Sequence, residues 1–294
     1  MDPNIRELEA GTNPATAAPI VATPKKGGKK EDGSFLWFLV KLVLIVVAFR
    51  SFGFTSFNIP SESMMPRLLV GDYLFAAKWP YGFSSRSLPL DAPLIPGRIF
   101  ASTPERGDVV ILEHPVDGVD YIKRVIGLPG DTVQVVGGAL RINGVAVPKQ
   151  VIGNLVLPIR PDESCRNVRF VVELPAGGYA CSYPQFRETL PNGVAYNVLD
   201  MGAAPYNFEY RLDPDNTGIY TVPAGHLFLM GDNRDNSLDS RFPAVAGEGI
   251  GFVPEENAVA RASFMYFSTD GSAEWAKPWT WFTAARWSRM FRGI

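Results

Sequence analysis

One continuous apolar run constrains this chain more than any other feature: Phe35-Leu36-Trp37-Phe38-Leu39-Val40-Lys41-Leu42-Val43-Leu44-Ile45-Val46-Val47-Ala48-Phe49-Arg50-Ser51-Phe52-Gly53-Phe54. At ~1.5 Å rise per residue it reaches about the ~30 Å of a bilayer's hydrocarbon core, so residues 35–54 read as a transmembrane helix. Lys41 and Arg50 lie toward opposite ends, where long stems can snorkel to headgroups. A cleaved export signal also joins a lysine cluster to an apolar stretch, but Phe49-Arg50-Ser51-Phe52-Gly53-Phe54 offers no small-x-small cleavage site, which favours an anchor. The upstream lysines and the lack of a polar face argue against a buried core helix. Lys25, Lys26, Lys29 and Lys30 hold the preceding segment in the cytoplasm by the positive-inside rule, which sends everything after Phe54 across the membrane. Residues 1–34, rich in Ala, Pro, Thr, Gly and Lys without hydrophobic period, are expected to form a flexible cytoplasmic tail.

Beyond the span the pattern is mainly β. Val109-Val110-Ile111-Leu112, Val133-Gln134-Val135-Val136, Leu140-Arg141-Ile142 and His226-Leu227-Phe228-Leu229-Met230 are short apolar runs punctuated by Gly-Gly, Asn143-Gly144 and Pro-Gly turns, as hairpins require. Residues 150–215 break this rhythm and suggest an insertion splitting one β-rich unit over 55–270. The last segment, 271–294, sets Trp275, Trp279, Trp281 and Trp287 among Lys277, Arg286, Arg289 and Arg292. That composition suits contact with lipid headgroups, and packing on the domain's own core is the alternative.

Composition removes several classes. With 28 Lys+Arg against 30 Asp+Glu the formal charge is −2, so no nucleic-acid partner is expected. Two cysteines and two histidines leave no four-cysteine zinc site and no His-rich metal centre. In an oxidising compartment Cys165 and Cys181 can pair and close a loop, two free thiols being the alternative.

Three polar stretches could carry chemistry. They are Pro60-Ser61-Glu62-Ser63-Met64-Met65-Pro66, the pair Arg106-Gly107-Asp108 and Asp120-Tyr121-Ile122-Lys123-Arg124-Val125-Ile126-Gly127-Leu128-Pro129-Gly130-Asp131, and Gly231-Asp232-Asn233-Arg234-Asp235-Asn236-Ser237-Leu238-Asp239-Ser240-Arg241. Taken singly, each has an ordinary explanation: turn serines beside proline, an edge-strand lysine, a polar loop. The Asp/Asn loop fails the EF-hand spacing, since Arg234 and Ser237 fall where a carboxylate and the glycine belong. His114 and His226 lie outside any polar cluster, so a Ser-His-Asp triad fits poorly. A lysine can replace the histidine if burial keeps it neutral, and Tyr121, Ile122, Val125 and Ile126 are the flanks to do this.

Taken together and in order behind an N-terminal anchor, these stretches resemble the successive boxes of the bacterial type I signal peptidases, serine proteases with a Ser-Lys dyad. The likeness runs from the span to about residue 265. It departs in one respect, since some members carry two N-terminal spans and this chain supports one. The resemblance implies a folded antiparallel-sheet catalytic domain with the smaller inserted subdomain, a single-pass protein of the bacterial inner membrane, and a periplasmic active site. It implies Ser63 as nucleophile, Lys123 as general base, the Ser61 hydroxyl and Ser63 N–H as oxyanion hole, and Ser237 orienting the lysine. Asp239, Arg241, Asp232 and Arg124 would brace the site. Phe57, Ile59, Met64, Leu68, Tyr121 and Ile122 would line shallow pockets for a small-x-small (Ala-x-Ala) site in exported preproteins, bound as an added strand beside Ile122. Apolar residues near Met64 would dip into the phospholipid bilayer, and the insertion could meet the translocation machinery. No cofactor and no metal are implied. Two other readings remain open: a membrane-tethered β-domain serving as a non-enzymatic envelope scaffold, and a related Ser-Lys peptidase acting on regulatory proteins.

Overall fold

The computed structural model describes residues 32–88, 92–159, 164–202, 212–274 and 276–294. Most of the expected tail, residues 1–31, and Trp275 lie outside them. One helix among the described residues, Ser34–Phe52, is long and apolar enough to cross a membrane, and its large side chains from Phe35 to Phe52 are exposed. Apart from that helix the protein is mainly antiparallel β-sheet.

The central sheet has seven strands in the order Phe54–Asn58, Asp72–Ala77, Ala258–Ser268, Val109–Glu113, Asp120–Gly127, His226–Met230 and Val253–Pro254. Asp120–Gly127 begins exposed and is buried from Ile122 onward. Val109–Glu113 pairs along its whole length, placing Val110 opposite Lys123 and Ile111 opposite Ile122. On the other side, pairing with His226–Met230 begins only at Arg124. Asp120–Lys123 therefore has no strand partner on that side among the described residues.

Thr132–Val136 and Ala139–Ile142 form a hairpin closed by Gly137 and Gly138, both at positive φ (55° and 73°), and Asn143-Gly144 closes the next at 51° and 78°. These are the left-handed pairs that match strand twist, and the Gly-Gly and Asn-Gly dipeptides supply them at little steric cost.

Residues expected as an inserted subdomain build a sheet of Lys149–Pro158, Val171–Glu173, Tyr179–Thr189 and Ala195–Leu199. They are not a separate body, for Leu44–Ile294 is one compact unit. Tyr196 and Val198 share a core with Val133, Leu140 and Phe228, while Phe170, Tyr183 and Leu199 pack on Met65 and Leu69 just after Ser63. Burying those side chains at about 25 cal/mol per Å² welds the insertion to the turn that carries Ser63. Cys165 and Cys181, in that same cluster, are disulfide-bonded with Cα atoms 5.5 Å apart.

Part of the C-terminal segment packs on the domain, as one of the two expectations has it. After the short helix Pro278–Thr283 it returns to the sheet, where Phe291 N donates to Met265 O (2.7 Å) and Arg289 Nη2 to Asp72 Oδ2 (2.6 Å). Trp279, Trp281, Phe282 and Trp287 stay exposed.

Candidate active site

Ser63 sits on a tight turn in which Met65 N donates to Glu62 O and Leu68 N to Met64 O. Met64 and Leu68, both fully buried between Ile59, Leu74, Val109 and Ile122, clamp that turn to the sheet. Lys123 reaches the turn from the strand Asp120–Gly127. Its Nζ donates to Ser63 Oγ at 3.0 Å and to the Ile122 carbonyl at 3.2 Å, and it lies 5.3 Å from the centre of the Tyr121 ring. Ser61 Oγ stands 3.4 Å from Ser63 Oγ. The lysine is buried, and loss of hydration pushes its pKa down to about 8. Asp239 and Asp232 act against that fall, and Arg241 adds to it.

Gly231–Arg241 forms the opposite wall. Asn233 N donates to Ser63 O (3.0 Å), Asn233 Nδ2 to Glu62 O (3.2 Å) and Asn236 Nδ2 to Glu62 Oε2 (2.7 Å), which clips the loop to the serine turn. Asp239 is fully buried. Burial alone would raise its pKa, but Arg241 (Nε–Oδ1 2.9 Å) and the Gly231 N–H (3.0 Å) outweigh it and hold the carboxyl below its ordinary value. Arg124 grips Asp232 in a fork at 2.7 and 2.6 Å while donating to Gly107 O, so that pair joins the strand to the loop.

Three features of the site differ from the sequence expectation. The Ser237 hydroxyl makes no hydrogen bond to the lysine: it is buried with no partner among the described residues, and the amine's second bond goes to Ile122 O instead. Met64 and Leu68 do not line the cleft, because the turn directs them into the core, where both are fully buried. Phe57, Ile59, Tyr121 and Ile122 do line it, together with Ser61, Ser63, Lys123 and Ser237, around a cavity of about 910 Å³.

Sequence reasoning passed over two partnerships. Glu188 and Tyr196, from the insertion, hold Arg234. Gly231 lies so close to its neighbours that a Cβ there would stand 2.5 Å from the Ser63 carbonyl oxygen and 2.3 Å from Ser237 Oγ. The signal for Gly231 was its place between a buried strand and a polar loop, while Glu188 carried none. His114 is buried against the Gly249 carbonyl, His226 lies at the surface with Nδ1 against the Ala224 carbonyl, and neither lines the cleft. No group of three or more His, Cys, Asp or Glu able to hold a metal occurs among the described residues.

A serine hydroxyl in an open cleft, touched by a buried amine of lowered pKa, is the equipment of a serine hydrolase in which lysine stands in for histidine. The family model described as "Signal peptidase, peptidase S26" matches residues 33–267. A signal peptidase I of Rickettsia conorii is 35% identical over 288 residues, covering 92% of this chain and 94% of its own. That of Rickettsia typhi is 34% identical over 292 residues, covering 90% and 94%. A solved signal peptidase I from Enterococcus faecalis is 23% identical and covers 55% of this chain and 98% of its own, with a TM-score of 0.27. The chain belongs to the signal peptidase family, peptidase S26, and is a serine endopeptidase.

Proposed function

We propose that this protein removes N-terminal signal peptides from exported preproteins, cleaving after a small-x-small site with Ser63 as nucleophile and Lys123 as general base. One observation carries the reading: Lys123 Nζ, buried and with its pKa pushed down to about 8, lies 3.0 Å from Ser63 Oγ. In its neutral form the amine takes the Ser63 proton as Oγ attacks the scissile carbonyl. The oxyanion is met by the Ser61 hydroxyl and the Ser63 N–H. Collapse of the tetrahedral intermediate expels the new amine, which Lys123 protonates. Lys123, neutral again after giving up that proton, then activates the water that frees the acyl-enzyme.

The unpartnered edge at Asp120–Lys123 favours substrate bound as an added antiparallel strand. Phe57, Ile59, Tyr121 and Ile122 then face the side chains before the cut, and select small ones by excluding larger ones. The lysines before the span favour a cytoplasmic N-terminus and a periplasmic active site by the positive-inside rule. From Phe54 to Ser63 an extended chain covers at most about 30 Å, so the chemistry is tethered near the bilayer where signal peptides emerge. The exposed C-terminal tryptophans suit the headgroup layer, and the insertion would offer a surface to translocation machinery. A non-enzymatic scaffold would have no use for a buried lysine held against a serine.

The test is cleavage of a purified preprotein bearing an Ala-x-Ala site by wild type and Ser63→Ala, with N-terminal sequencing of the product. A cut after the final alanine that vanishes in the variant is the expected result. Equal cleavage by both would end the reading, and a cut without small-residue preference would point to a peptidase of regulatory proteins.

A further inference from the structure

Lys123 and Arg124 are successive residues of one strand, so their side chains leave opposite faces of the sheet. Lys123 enters the catalytic cleft, whereas Arg124 lines a second cavity of about 660 Å³. Seven of the described residues lining that cavity are arginines, and its acidic side chains are Glu105 and Asp108. Four of these arginines have carboxylates: Arg106 pairs with Asp131 (2.7 Å), Arg124 with Asp232 (2.6 Å), Arg289 with Asp72 (2.6 Å) and Arg261, more loosely, with Asp108 (3.8 Å). Arg67, Arg187 and Arg292 have no carboxylate partner among the described residues, and Arg67 donates only to the Gly293 carbonyl (2.6 Å).

Folding has thus gathered three exposed guanidiniums that lack a carboxylate partner from three distant segments around one cavity, where Glu105 is the one lining acid left unpaired among the described residues. Their charges are felt. The Arg67 pKa is lowered first by burial and then by Arg124, with Arg289 and Arg292 adding to it against the opposing pull of Asp232. A cleft lined by one sign of charge draws counter-ions of the other, here an anion. Three forked donors exceed what one carboxylate can accept, whereas the several oxygens of a phosphate can meet them all.

We propose that this arginine-lined cavity, on the sheet face away from the catalytic cleft, binds a phosphate group, either free phosphate or the phosphodiester headgroup of an anionic lipid. The bound group would bridge Arg67, four positions after Ser63, to Arg187 of the insertion and Arg292 of the C-terminal segment.

The experiment uses the full chain in a neutral detergent at constant ionic strength, with thermal unfolding as readout. Inorganic phosphate, dihexanoylphosphatidylglycerol and dihexanoylphosphatidylcholine are titrated separately into wild type and Arg187→Gln/Arg292→Gln. The expected result is a saturable rise in melting temperature with phosphate or the glycerol lipid, none with the choline lipid, and at least about a tenfold weaker midpoint in the variant. Saturation by inorganic phosphate identifies a free anion as sufficient, and saturation by the glycerol lipid alone identifies a headgroup. No saturable rise with either, or an equal midpoint in the variant, overturns the proposal. The single Arg187→Gln change carries the same comparison should the double variant fold poorly, and both variants should cleave preprotein at the wild-type rate without added phosphate.

Discussion

Arg234 and Glu188 face each other fork to fork, Nη1 to Oε1 at 2.9 Å and Nη2 to Oε2 at 2.5 Å, with both side chains buried and 46 positions of chain between them. Tyr196 completes the group by donating to Glu188 Oε2 (2.8 Å). This pair ties the inserted sheet to the loop that walls the serine. Glu188→Gln would leave a guanidinium buried against a neutral amide, and removing one partner of such a pair costs about 3–5 kcal/mol. Chemical denaturation should show a loss of that order. Cleavage should fall as well, because Arg234 Nε also holds the Gly231 carbonyl (3.3 Å) beside the active site.

The pH dependence of kcat/KM follows from the Lys123 amine, whose pKa is pushed down to about 8 by burial. Below that value the rate should fall about tenfold per pH unit, since only the neutral amine can accept the serine proton. Lys123→Arg keeps the charge and should be inactive across the range, arginine being always protonated in proteins. A profile that stays flat from pH 6 to 9 would remove lysine from the base role.

Lys123 should also cost stability at neutral pH. Its folded pKa lies below the value of 10.5 that it regains on unfolding, so between about 8 and 10.5 the unfolded chain binds more protons and stability rises with pH. Lys123→Met fills the same space without a charge to desolvate. At pH 7 it should be the more stable protein by on the order of 2 kcal/mol, with the advantage shrinking as pH approaches 10. Parallel denaturation curves at pH 7 and 10 measure this.

Gly231→Ala places a methyl group 2.5 Å from the Ser63 carbonyl oxygen, a backbone atom that cannot swing aside. The loop or the serine turn must shift. Overpacking of this kind costs about 1–3 kcal/mol, and a 1 Å displacement of the nucleophile is worth about 10²-fold in rate. The variant should fold and cleave at about a hundredth of the wild-type rate, measured under substrate saturation.

Ser237→Ala deletes a buried hydroxyl that has no partner among the described residues. Stability should rise by about 1 kcal/mol, because an unsatisfied buried polar group is removed with its Cβ kept. The acid limb of the pH profile should stay in place, since the lysine's bonds are to Ser63 and Ile122. A destabilised variant with a shifted limb would instead restore Ser237 to the role of orienting the amine.

Features that depend on near neighbours were open to reading from the chain alone. An apolar run long enough for a bilayer marks the helix, and Gly137-Gly138 and Asn143-Gly144 mark their hairpins because only such residues take those dihedrals cheaply. Motif order behind the anchor pointed to Ser63 and Lys123 through likeness to a family. What no local pattern contains is the approach of groups distant in sequence. Lys123 meets Ser63 across 60 positions, and its pKa falls only because segments distant in sequence close around the amine and bury it. Met64 looks like a pocket residue beside the nucleophile, yet the turn sends it into the core. Ser237 sits in the right loop but is held against Gly231. Glu188 reads as an ordinary charged strand residue until folding buries it against Arg234. Periodicity and turn chemistry act over a few residues, so they reach the elements. Burial, pKa and pairing arise when distant segments close on one another, so they belong to the packed whole.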